Sequence, residues 1–285
     1  QELLDNYSFY QDDLVGDEVG IPLYFLGKKT KNSKIKVVQV GEGADELFYG
    51  YDHWNRYLKL NKFFKPFFKS TKKYSSFKNH RLNMLSNILF NRTSFAGGAL
   101  GFNLKELDSL IKDGLPNHSD LIFYADNKWK EYFSKKNSKI SKWMTLIDLK
   151  IRLPELLLMR MDKLVMQSAV EARVPFLDHK LVEYVLSLPE ELLIDLTNTK
   201  SLLKKVAMKY LPDQIINRKK QGFRAPIGEW IKKDEEKFYE SVQQFNSLVN
   251  LFNERELNHI LNGNDYQKKW YLINLSNWHL ARVAN

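Results

Sequence analysis

No cysteine occurs in the 285 residues. That excludes a disulfide, a thiolate-bound zinc and a cysteine nucleophile, and it fits a reducing cytoplasm. Metal sites built from histidine or carboxylate stay open. Long apolar runs are also missing: no stretch of about 18 residues is both apolar and uncharged, so nothing reads as a membrane-spanning helix. The opening QELLDNYSFYQDD is polar and acidic, unlike a secretory signal, and lacks Met, so the chain is expected to begin inside a longer gene product. No internal repeat and no heptad array is present. Two phosphate-binding signatures are absent as well. A dinucleotide fingerprint starting at Gly41 needs glycine where Glu46 stands, and no Gly-Lys-Ser/Thr follows to make a Walker A loop.

What is present is an apolar fraction of 44%, enough for a sizeable core in one large domain or two small ones. The net charge is +10, mostly from lysine. Residues 59–78, KLNKFFKPFFKSTKKYSSFK, interleave Lys with Phe and Tyr. Cations on phosphates with rings on bases would suit a nucleic acid. A helix or loop with its aromatics inward and its lysines outward explains the pattern more simply, because no nucleic-acid signature accompanies it.

Residues 35–40 (IKVVQV) are β-branched and stop at Gly41, which reads as a buried strand. Residues 19–26 (VGIPLYFL) suit a strand or a helix. Most of the remainder reads as helix. Residues 142–152 and 155–167 form two helical stretches separated at Pro154, which can open a helix but not sit inside one. Residues 201–210 place Leu202, Leu203, Val206, Ala207 and Tyr210 on one stripe that Pro212 stops. Polar stretches near Asn32, at 72–79 and at 135–138 read as exposed loops. One strand among many helices suggests the helical side of a larger α/β domain.

Three stretches carry chemistry. The first, VVQVGEGADELFYGYD at 37–52, runs from strand through a glycine turn into a helix that opens on acids. Such a turn can bring backbone N–H groups to a phosphoryl group with a carboxylate beside it. Asp45 and Glu46 suit a helix N-terminus on structural grounds alone, whereas Glu42, between two glycines, has no packing task. The second, RKKQGFRAPIGEW at 218–230, offers Lys219 and Lys220 on a glycine-containing loop, either a phosphate clamp or a solvated basic loop. In the third, LLLMRMDKLVMQSAVEARVPFLDH at 156–179, a helix is expected to end near Glu171. Asp178 is placed to cap the next one, Glu171 and Arg173 can pair, and Asp162 reads more simply as a buried or capping acid than as a catalytic one.

In this order the three stretches resemble the synthetase domain of the asparagine synthetase family. VVQVGEGADELFYGY is similar to its S-G-E-G-A-D-E-L-F-x-G-Y, and LLLMRMDKLVMQSAVEARVPFLDH to its L-L-x-R-x-D-x-x-x-M-x-x-x-x-E-x-R-x-P-F-L-D. KSLLKKVAMKYLP with RKKQGFRAPIGEW is similar to its K-x-x-L-(R/K)-x-x-A-x-x-x-L-P and R-x-K-x-G-F-x-x-P-I-x-x-W. The likeness runs from about residue 19 to 233, with a weaker helical remainder.

The resemblance implies an α/β fold of the adenine nucleotide α-hydrolase (HUP, Rossmann-like) kind, with residues 1–285 as the mostly helical C-terminal part of one synthetase domain. It implies ATP and Mg²⁺, adenylation of a carboxylate with release of pyrophosphate, and displacement of AMP by an amine. Aspartate and ammonia are the default pair. Glu42 would be the general base or charge partner beside the amine, and Lys220 would stabilise charge on phosphate and carboxylate oxygens. Val40, Gly41 and Gly43 would line the nucleotide, and Asp45 would be a magnesium ligand. An N-terminal glutaminase domain supplying ammonia from glutamine is implied, a homodimer is allowed, and neither membrane nor nucleic acid is expected.

Two departures stand out. Val40 replaces the family's serine, and its S-G-G-x-D-S pyrophosphate loop occurs nowhere in these residues. The fragment alone is therefore expected not to turn over. Two other readings stay open: a related synthetase acting on another carboxylate, with a β-lactam, macrolactam or amidated sugar acid as product, and a non-catalytic binding or regulatory module.

Overall fold

A computed structural model describes residues 13–64, 101–114, 127–128, 130–132, 134, 139–218, 222–223 and 225–283. The first element is helix α1 (Gly20–Asn32), with Pro22 in its first turn, where a missing N–H costs nothing. It settles residues 19–26 as helix. Strand β1 (Val37–Gln39) pairs in parallel with β2 (Glu171–Arg173), Val38 opposite Ala172. This strand is open rather than buried: Val37 is 39% exposed, and only Val38 and Val40 lean on a core.

Between the strands lie α2 (Ala44–Leu47), α3 (Asp52–Phe64), α4 (Leu104–Leu110) and a long helical run. That run is α5 (Ile140–Ile147), a π-helical segment (Asp148–Leu158) and α6 (Met159–Met166), with helical backbone at both junctions. Pro154 therefore sits inside a helix, contrary to the expected break. In an α-helix its ring would strike the carbonyl four residues back. The π turn removes that clash by widening the ring, and the Met159 N–H reaches the Pro154 carbonyl five residues back. The helix ends at Met166, short of Glu171, because Ala169 turns left-handed (φ 55°) to feed β2.

After β2 come a 3₁₀ turn (Pro175–Leu177), α7 (His179–Ser187), α8 (Glu190–Leu193), α9 (Ser201–Ala207) and α10 (Asp213–Ile216). Asp178 caps α7 as expected, its Oδ1 accepting the Lys180 and Leu181 N–H groups at 3.0 and 3.2 Å. Asp178→Ala should cost about 1 kcal/mol in urea denaturation. The stripe expected on residues 201–210 forms only in part: Leu202 and Leu203 pack against a buried cluster, while Val206 is half exposed. α9 stops at Ala207, none of its residues is fully buried, and Tyr210 is 79% exposed. Of the lysine-aromatic stretch at 59–78, residues 59–64 close α3, where Phe63 faces solvent and Phe64 packs against a buried cluster. The rest of that stretch, and the loops at 72–79 and 135–138, lie outside the described residues.

The chain closes with α11 (Ile227–Lys233), α12 (Glu235–Val249), α13 (Glu254–Leu261) and α14 (Tyr266–Val283). Phe238, Val242 and Phe245 recur at helical spacing on α12 and meet Trp270 and Ile273 of α14. With Ile21, Leu23, Met161, Leu164 and Val165 from α1 and α6 they form one core. A second core gathers Leu47, Trp54, Trp143, Met144 and Val185. The turn after β1 runs between them: Val38 and Val40 lean on the first, Leu47 and Phe48 belong to the second.

Candidate functional site

The turn is built by its glycines. The Val40 N–H is committed to the Arg173 carbonyl at 2.9 Å, which extends the β1–β2 pairing to the last residue before the turn. Gly43 then takes φ 90°, a conformation that side-chained residues avoid, and a Cβ there would stand 2.7 Å from Leu177 Cγ. Leu177 belongs to the VPFL turn after β2, so the two motifs interlock at this glycine. Gly41 is exposed, and a Cβ on it would meet nothing within 4 Å, so open space lies in front of the turn. From Gly43 the chain enters α2, with the Leu47 N–H donating to the Gly43 carbonyl at 3.0 Å.

Each acid around this turn lies beside a cation. Glu42 is partly exposed, its side chain at 23%, and Arg160 Nη2 lies 3.7 Å from its Oε1. Burial lifts its carboxyl above the usual value, and the Arg160 charge pulls the other way. Arg160, buried on α6, also donates from Nη1 to Asp17 Oδ2. Asp45 accepts from Lys200 Nζ at 3.0 Å. A Cβ on Gly50 would overlap both Asp45 Oδ1 and the Lys200 side chain, so glycine there allows the pair to close. Glu46 points into the protein, where its Oε1 accepts the Tyr51 hydroxyl and lies 3.8 Å from Arg152 Nη1. Arg152 also donates to Asp148 Oδ2 at 3.0 Å and covers the Tyr51 ring at 4.8 Å. Burial pushes Asp148 up to about 6 against the opposing pull of Arg152.

The structure thus brings Val40, Gly41, Glu42, Gly43 and Asp45 together on one turn. Lys220 and Lys219 lie outside the described residues. Asp162 is exposed on α6, neither buried nor capping; the inward group of that R-x-D run is Arg160. Glu171 and Arg173 pair at 2.8 Å on the surface of β2. Asp17, Asp148, Arg152, Arg160 and Lys200 were not anticipated as parts of the site. Arg160 and Lys200 stand inside the quoted motifs, but Asp17 carries no local signal. Among the described residues no three acids or histidines are grouped closely enough to hold a metal alone.

The model of the asparagine synthase family matches residues 1–280. The chain belongs to the asparagine synthase family. It is 30% identical over 249 residues to asparagine synthetase [glutamine-hydrolyzing] 1 of Bacillus subtilis, covering 85% of this chain and 38% of that protein. It is 29% identical to a putative asparagine synthetase [glutamine-hydrolyzing] of Mycobacterium bovis, over 99% of this chain and 45% of the relative. Asparagine synthetase [glutamine-hydrolyzing] 3 of B. subtilis is 26% identical over 81% of the chain. The chain therefore spans less than half the length of these relatives. Among the described residues no helix is long and apolar enough to cross a membrane. The structure joins the GEGADE and EARVPFLD segments at Gly43 and Leu177.

Proposed function

We propose that this asparagine synthase family chain is the C-terminal part of an ATP-dependent synthetase domain that forms an amide through an acyl-adenylate. Aspartate and ammonia are the substrates proposed, with ammonia drawn from glutamine by a separate glutaminase domain. A nucleotide α-hydrolase-like sheet would extend from β1 and β2. The carrying observation is Glu42: a partly exposed carboxyl at an open glycine turn between two cores, with Arg160 beside it and its proton affinity raised by burial.

In the first step a substrate carboxylate oxygen bonds to the α-phosphorus and the bond to pyrophosphate breaks. In the second the amine bonds to the acyl carbon, the bond to AMP breaks, and Glu42 takes the proton the amine must lose. Lys220 would offset charge on the phosphate and carboxylate oxygens, and Gly41 would let the nucleotide approach the backbone. Asp45 suits a magnesium ligand, because in phosphate chemistry this ion takes only a carboxylate or two beside substrate phosphates and water. Asp45 would hold the ion, which when bound would supply positive charge to offset that on the phosphate oxygens. Lys200 on Asp45 stands where a cation would be accepted.

The test is product analysis with the complete protein, MgATP, aspartate and glutamine or ammonia. AMP, pyrophosphate and asparagine should form together, and Lys220→Ala should abolish amide formation. Formation of ADP and phosphate, or pyrophosphate release indifferent to the carboxylate, would overturn the reading.

A further inference from the structure

Arg160 is an odd group to find behind a general base. It is a buried cation, and its neighbour Glu42 must become neutral on accepting a proton. With Glu42 as sole counter-ion, the guanidinium would be stranded in a poorly solvated place at that moment and would resist the transfer. The structure gives it a second anion. Arg160 Nη1 binds Asp17 Oδ2, and Nη2 lies 3.7 Å from Glu42 Oε1. Asp17 is itself held at the start of α1, where its Oδ1 accepts the Val19 N–H at 2.7 Å and its carbonyl accepts the Gly20 N–H at 3.3 Å. α1 and α6 pack through Ile21, Leu23, Met161, Leu164 and Val165, so both ends of this strut are fixed by the first core.

The remaining charges that act on Glu42 are engaged elsewhere. Arg152 serves Asp148 and Glu46, and Asp45 is paired with Lys200. Among the described residues Arg160 is the cation within ion-pair distance of Glu42. Its grip is close on Asp17 and looser on Glu42.

We propose that Asp17 and Arg160 are positioning residues for Glu42: Asp17 anchors Arg160, and Arg160 steers the Glu42 carboxyl into the open side of the turn while staying charge-compensated when Glu42 is protonated. This rests on the reading of Glu42 as the group that takes the amine's proton. Asp17 lies outside the quoted motifs, and it reaches the site only through the fold.

The test compares Asp17→Asn, Arg160→Gln and Arg160→Lys in the complete protein, measuring pyrophosphate release and amide formation separately across pH. Amide formation should fall roughly tenfold or more in Asp17→Asn and Arg160→Gln, while carboxylate-dependent pyrophosphate release stays within about threefold. The acid limb of amide formation should move in opposite directions. Asp17→Asn leaves the whole Arg160 charge on Glu42, favours the carboxylate and moves the limb to lower pH. Arg160→Gln leaves burial unopposed and moves it to higher pH. Arg160→Lys should restore part of the loss. Equal loss of both steps with an unmoved pH profile would mean a merely structural role and overturn the inference, as would wild-type behaviour. Circular dichroism checks folding, and the isosteric Asp17→Asn decides alone if Arg160→Gln does not fold. Glu42→Gln separates the two levels: if it forms amide within about tenfold of wild type, the reading of Glu42 fails, whereas a strongly impaired Glu42→Gln beside unaffected Asp17 and Arg160 variants fails only the positioning.

Discussion

Glu42→Gln should lower amide formation by roughly 100- to 10,000-fold, the usual contribution of a positioned general base, with carboxylate-dependent pyrophosphate release largely kept. The substitution preserves size and leaves the turn intact, because the conformation there is set by Gly43 and the Leu177 packing rather than by the Glu42 side chain. Arg160 keeps Asp17 as a partner, so no buried cation is abandoned. The variant should therefore fold with thermal stability close to wild type. Rapid-quench measurement of both products separates the steps. Amide formation within about tenfold of wild type would remove Glu42 from the proton transfer.

The same turn shows how far residues can be read without coordinates. The β-branched run into Gly41 announced β1 and the turn, since both signals are local, and Asp178 as a helix cap followed from the same kind of local rule. The parallel partner strand was not legible: β2 has three residues, EAR, and its pairing with residues 37–39 depends on contacts more than 130 positions apart in the chain. Pro154 misled because the rule against proline inside a helix assumes α geometry, and the π segment escapes it. The α9 stripe was legible only at its start: apolar periodicity shows which face of a helix is apolar, not how far along it that face is covered, and Val206 and Tyr210 stay exposed beyond Leu202 and Leu203. At the site, Glu42 stood out as an acid between two glycines, and Asp45 gained its role from the resemblance. Their counter-charges Arg160 and Lys200, and the Asp17 that shares Arg160, did not, because they come from three distant segments that only the packing of α1, α6 and α9 assembles.

Asp148 carries the second large effect, and it concerns stability. Asp148→Asn should stabilise the protein increasingly as pH rises from about 4 to about 6, by up to about 3 kcal/mol, and then level off. Asp148 is fully buried, shares Arg152 with Glu46, and its Oδ1 has no hydrogen-bond partner among the described residues. Two carboxyls around one guanidinium leave a surplus negative charge in a poorly solvated place, which burial resists by raising Asp148 from 3.8 to about 6. The sign follows from proton counting. Between those values the folded chain holds a proton that the unfolded chain has released, so folding is penalised progressively as pH rises. The gap of about two pH units, at about 1.4 kcal/mol each, sets the upper limit. Asparagine mimics the protonated acid at every pH. Arg152 still has Glu46 and the Tyr51 ring, so the substitution does not strand it. Urea denaturation of both proteins at about pH 4.5 and about pH 7.5 gives the result directly. A stability difference that does not change between those conditions would mean that Glu46, or the surrounding dipoles, carries the surplus charge and that Asp148 is ionised throughout.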